Sequence, residues 1–135
     1  MNKFELTQEL MTFIDYSPSV FHVIENFEDI LDKNDFQKLE KNNRWNLLPN
    51  KKYYITNNDS SILAFQVGSD LDNNFFRIIG SHSDSPTFRI KPNPTMDIKK
   101  HFIKLNTEVY GGPILSTWFD RPLSIAGRVI VKGED

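Results

Sequence analysis

The chain has 135 residues, no cysteine and a formal net charge of −2, with 39% hydrophobic and 25% charged residues. Those proportions are ordinary for a folded domain, and eleven phenylalanines supply core material, so disorder is excluded. A disulfide scaffold and a cysteine-built zinc module are excluded as well, and no run approaches the ~18 apolar residues of a membrane-spanning helix.

The opening residues place Glu5 and Glu9 where a secretory signal needs an apolar stretch. The cytoplasm is the expected compartment, which a cysteine-free composition suits. Charge is uneven, −5 over residues 1–72 and +3 over residues 73–135. The bases of the second part (Lys91, Lys99, Lys100, Lys104) are scattered. They lack the density of a phosphate-binding footprint, so neither nucleic acid nor membrane is expected as a partner.

Phe4, Leu6, Leu10, Met11, Phe13 and Ile14 recur near helical spacing and predict a first helix that stops at Ser17-Pro18-Ser19. Val20, Phe21, Ile24, Phe27, Ile30 and Leu31 predict a second, with Glu25, Glu28 and Asp29 on its other face and Ser17 or Ser19 as N-cap. Near Trp45 the period changes. Lys51–Thr56 and Ser61–Val67, separated by Asn57-Asn58-Asp59-Ser60, predict a hairpin. After a polar break over 70–74, the apolar run Phe75–Gly80 is expected as a central strand buried on both faces. Thr87–Ile90, a proline-marked loop over 91–94, Phe102–Tyr110 and Leu123–Lys132 complete the strands. The fold class is α/β: N-terminal helices packed on a mixed β-sheet of five to seven strands, a single unit over residues 1–135.

Chemistry concentrates in Gly80-Ser81-His82-Ser83-Asp84-Ser85-Pro86, which follows the expected central strand. Residues two apart in extended chain share a face, so His82 and Asp84 would point the same way. A metal-binding histidine usually passes its second ring N–H to a carboxylate or carbonyl, and His-x-Asp supplies that pair. A plain loop with a His–Asp hydrogen bond fits the same residues. His22 and His101 read as ordinary histidines, and Asp120 as a structural partner of Arg121 or Arg128. Glu108 sits mid-strand, where burial is expected. The Gly-x-Ser-x-Gly elbow of serine hydrolases and glycine-rich phosphate loops do not occur in the sequence.

The ordered segments resemble the N-terminal part of the aspartyl aminopeptidase family of dinuclear zinc exopeptidases. The matching stretches are 17–22, 52–56, Phe76–Pro86, Arg89-Ile90-Lys91-Pro92, Glu108-Val109-Tyr110-Gly111-Gly112 and Thr117–Val129. Pro113 stands where that family usually has a third glycine, and Pro122 where it has an acidic residue. The resemblance implies a partial zinc-exopeptidase catalytic domain. Two zinc ions per active site would activate a water for hydrolysis of an N-terminal peptide bond, acidic residues preferred. It implies His82 as a zinc ligand and Asp84 as the catalytic aspartate orienting it; the substrate-binding residues stay unknown.

It also implies a peptide substrate, a homo-oligomeric enzyme, and further ligands outside these residues. With at most one ligand histidine where catalytic zinc takes three protein ligands, the 135 residues are expected to be an inactive, truncated portion of the enzyme. The alternatives are a non-enzymatic module pairing through its sheet edge, and a metal-free regulatory relative.

Overall fold

The computed structural model describes residues 2–70, 75–99 and 101–133. The polar break expected over 70–74 lies, after residue 70, outside the described residues, as does Lys100. The chain divides into two compact units, Met1–Ser83 with Ala126–Asp135, and Asp84–Ile125.

In the first unit, α1 (Lys3–Asp15) begins in a capping box. The Asn2 side chain accepts from the Phe4 amide at 3.3 Å and the Glu5 carboxylate accepts from the Asn2 amide at 2.9 Å. Helix α2 (Val20–Lys33) has Ser19 at its N-cap, but the Ser19 hydroxyl makes no cap bond and instead lies 2.8 Å from His22 Nδ1. Asn26 donates to the Tyr16 carbonyl at 2.8 Å and to the Ser17 hydroxyl at 3.0 Å, fixing the chain between the helices. The Phe13 and Phe27 rings meet at 5.1 Å across them. Helix α2 ends in a Schellman turn: Asp35 takes φ 63°, its amide donates to the Asp32 carbonyl at 3.2 Å, and the Phe36 amide donates to Leu31 at 3.0 Å.

That turn feeds β1 (Gln37–Lys38), which runs parallel to β2 (Lys52–Asn57); β2 then pairs antiparallel with β3 (Ser61–Gln66). The expected hairpin is therefore present, and β1 makes the sheet mixed. Asn58 and Asp59 both take positive φ, the conformation of a tight primed turn, which short polar side chains tolerate. Helix α2 packs on β1 and β3. Ile24, Tyr53 and Tyr54 are buried there. Polar atoms in this core are paired: the Tyr54 hydroxyl donates to Asp32 at 2.8 Å, and the Tyr53 hydroxyl accepts from the Leu48 amide at 3.0 Å. The Lys38 ammonium meets Glu28 at 2.5 Å, joining β1 to α2.

The second unit is built on an antiparallel pair, β4 (Thr87–Ile98) and β5 (Phe102–Tyr110). The proline-marked stretch expected as a loop is part of β4. It forms an irregularity between Ile90 and Thr95 where the register shifts, since Pro92 and Pro94 have no N–H to give the ladder. Asn106 spans the gap, donating to the Asn93 carbonyl at 3.1 Å. Trp118, just after a 3-10 turn over Leu115–Thr117, sets its ring edge-on to Phe88 at 5.1 Å.

Two expected strands are corrected. Phe75–Gly80 and Leu123–Lys132 lie in neither sheet, and the described strands form sheets of three and two rather than one sheet of five to seven. Ile79 is 99% exposed where burial on both faces was expected. The reason is the nature of strands. An apolar extended run becomes one only when a neighbour takes its N–H and C=O groups, and no described strand pairs with either run.

Candidate functional site

His82 belongs to the first unit, exposed in the irregular stretch after Gly80. One fastening of that stretch is visible: Ser83 donates its hydroxyl to the Ser60 carbonyl at 3.0 Å. The same β2–β3 turn receives Arg128, whose guanidinium donates to the Asn58 carbonyl at 3.1 Å and the Asn58 side chain at 3.2 Å. Its charge pairs with Asp59 at 3.3 Å, and it stands 4.4 Å from the centre of the Phe21 ring. The turn thus gathers two otherwise irregular segments of the unit.

Asp84 opens the second unit, half-buried. The Tyr110 hydroxyl donates to its Oδ2. The hydrogen bond to Asp84, and then the carboxylate's charge, push the Tyr110 phenol above its ordinary range, because ionising the phenol would place two anions together. Arg89 opposes that shift and lies with its guanidinium carbon 3.6 Å from the centre of the Tyr110 ring. Register explains the meeting. Thr87 pairs with Tyr110 at the open end of the β4–β5 ladder, so the residues just before β4 lie beside those that end β5.

In the sequence Tyr110 ends an expected strand and lies in the stretch 108–112 that carries the family resemblance, with no role marked. The available signal was the pairing of the two runs, which brings together residues 26 apart. The arrangement holds an acceptor carboxylate in one orientation by a phenol donor, with a cation stacked on the donor's ring.

The other candidates are dispersed. His22 is occupied with Ser19. His101 is exposed in the β4–β5 turn, its amide on the Ile98 carbonyl at 3.0 Å. Glu108 is exposed rather than buried and stands opposite Arg89 in the ladder. Asp120 has no ion pair among the described residues; Arg121 donates to the Thr117 carbonyl at 3.2 Å, while Arg128 pairs with Asp59. Among the described residues, no three His, Cys, Asp or Glu side chains gather as a metal site requires. The donor set of the described residues does not by itself make a zinc centre.

Comparison with known proteins supplies the context. Residues 13–135 match the family profile described as aminopeptidase I zinc metalloprotease (M18). A probable M18 family aminopeptidase 2 from Clostridium novyi is 53% identical over 135 residues, covering 99% of this chain and 31% of that protein. An aspartyl aminopeptidase from Dictyostelium discoideum is 42% identical over 129 residues, covering 95% of this chain and 26% of that protein. Among solved structures, the S. cerevisiae mApe1 dodecamer superposes with a TM-score of 0.72 at 29% identity, covering 86% of this chain and 27% of that chain. The 135 residues therefore span about a third or less of the length of these relatives.

Proposed function

Because the chain belongs to the M18 family, we propose that it is the N-terminal portion of the catalytic domain of a metallo-aminopeptidase. The observation carrying this reading is the match over residues 13–135, at 53% identity to a relative described as a probable aminopeptidase. The reaction is removal of N-terminal residues from peptides. An acidic first residue is preferred, a reading supported by the likeness to a relative described as an aspartyl aminopeptidase. The family description names zinc, and the earlier resemblance suggests two ions per site.

In this proposal His82 offers one ligand to that metal and Asp84 holds the histidine's orientation. The remaining ligands come from sequence beyond these residues, and the 135-residue chain alone has no turnover. The likeness to a dodecameric structure supports a homo-oligomeric working form, and the cytoplasm, which the cysteine-free composition suits, is the proposed compartment.

The test is a zinc titration by calorimetry with release assays on aspartyl, glutamyl, lysyl and leucyl reporters. It is run on the 135-residue chain and on the protein at its relatives' length. The long protein should bind zinc and cleave the acidic reporters fastest. The short chain should bind zinc no better than a single-histidine peptide and release nothing. Stoichiometric binding by the short chain tighter than about micromolar would mean that His22, His101, Glu108 or Asp120 completes a site. A long protein with neither zinc nor turnover would leave a binding module as the reading.

A further inference from the structure

The open mouth of the β4–β5 hairpin grips the segment Asp84-Ser85-Pro86 at two points. At the first, the Tyr110 hydroxyl donates to the Asp84 carboxylate. At the second, Gly111 takes φ +75°, and a Cβ on it would stand 3.3 Å from Pro86 Cα and 3.5 Å from two of its side-chain carbons. Both the backbone conformation and the close approach call for glycine there. The grip has a support of its own. Arg89 stacks on the Tyr110 ring at 3.6 Å, which fixes the ring that carries the donating hydroxyl.

A carboxylate held by a phenol donor, in a segment whose Pro86 two residues on lies close against Gly111, has little freedom to turn. A free surface aspartate, by contrast, samples several rotamers. We propose that Tyr110 is a positioning residue for Asp84, and that the end of β5, Tyr110-Gly111, is the device that sets the orientation of this carboxylate. The inference rests on the reading of Asp84 as the aspartate of the aminopeptidase site. It adds to that reading a residue 26 positions away, with a defined task. It also gives Glu108-Val109-Tyr110-Gly111-Gly112 a role: its tyrosine supplies the donor and its first glycine allows the approach.

Three substitutions in the intact protein test this: Asp84→Asn, Tyr110→Phe and Gly111→Ala. Tyr110→Phe keeps the ring under Arg89 and removes only the hydroxyl, so the hairpin still forms. Peptide-level hydrogen exchange over residues 80–88 should rise about 10-fold in Tyr110→Phe and in Gly111→Ala, while exchange over the β2–β3 hairpin stays unchanged. Steady-state kinetics should show kcat about 10-fold lower in Tyr110→Phe with KM unchanged, the mark of a lost orientation rather than lost binding.

If Asp84→Asn is nearly inactive while Tyr110→Phe keeps wild-type kcat or wild-type exchange, the positioning role is wrong and the aminopeptidase reading stands. Full activity in Asp84→Asn would overturn the reading of Asp84 and this inference with it.

Discussion

At Tyr54 a ring sealed in the core carries a hydroxyl that reaches Asp32 at its edge. Burial first, and then the hydrogen bond to Asp32, push the phenol well above its ordinary value near 10, since the anion would lose water and face a carboxylate. The folded state therefore holds this proton more tightly than the unfolded chain. The resulting stability is fully present below about pH 10 and is lost as pH rises toward the folded value. Lys38, raised by its bond to Glu28, has the same sign, with a smaller effect because water reaches both side chains of the pair. Tyr54→Phe should cost about 1–2 kcal/mol at neutral pH. It should also flatten the decline in urea midpoint between pH 9 and 11. An equally steep decline in the variant would assign the alkaline loss to other groups. At His82 the expectation is chemical: His82→Ala in the long protein should lower metal content by one ion and remove nearly all turnover. Metal analysis showing wild-type content would place the ligand elsewhere.

Among the elements, the turn between β4 and β5 contains Lys99 at φ 50°, a conformation that costs a side-chain-bearing residue about 1 kcal/mol. Lys99→Gly should raise the thermal midpoint by a few degrees, read by scanning calorimetry; a fall would show that the lysine side chain matters more than the backbone. The contrast among elements also shows what is legible in a sequence. Helices α1 and α2 and the β2–β3 hairpin are readable because periodicity, the Ser17-Pro18-Ser19 stop and a four-residue polar turn are local signals, whereas Ser19 makes no cap bond. Strand β1 leaves no local mark, because a two-residue parallel strand exists only through its neighbour Tyr53-Tyr54. Phe75–Gly80 shows the reverse, since its composition is that of a strand while pairing is a relation between segments. The site divides in the same way. The proposed pair, His82 and Asp84, stands two apart as a His-x-Asp motif, whereas Tyr110 reaches Asp84 only through a ladder register that composition does not encode.

For the whole molecule, the decisive quantity is apolar surface left open. Phe76, Ile78 and Ile79 in one run and Val129, Ile130 and Val131 in another are each about four-fifths exposed or more. Contiguous exposure of that kind is uncommon on proteins that stay monomeric. The 135-residue chain should therefore bind a hydrophobic dye and sediment above monomer mass, increasingly so with concentration. A concentration-independent monomer without dye binding would show these runs to be covered in solution. In the proposed full-length enzyme the same runs belong under neighbouring structure, so the dye signal should fall in the longer protein.

The prolines of β4 bear on which way any such sticking proceeds. A two-stranded ribbon has two flanks, and each can template a foreign strand wherever it offers a regular row of amide donors. Over 91–94, where Pro92 and Pro94 stand, β4 leaves the regular register of its ladder, so it offers no unbroken row there. The flank of β5 carries no proline, and Phe102, Ile103 and Val109 stand exposed along that strand. Fibril seeding or strand exchange between copies would then start from β5, leaving β4 as the gatekept side. A proline introduced into β5 should quench growth that the two resident prolines cannot.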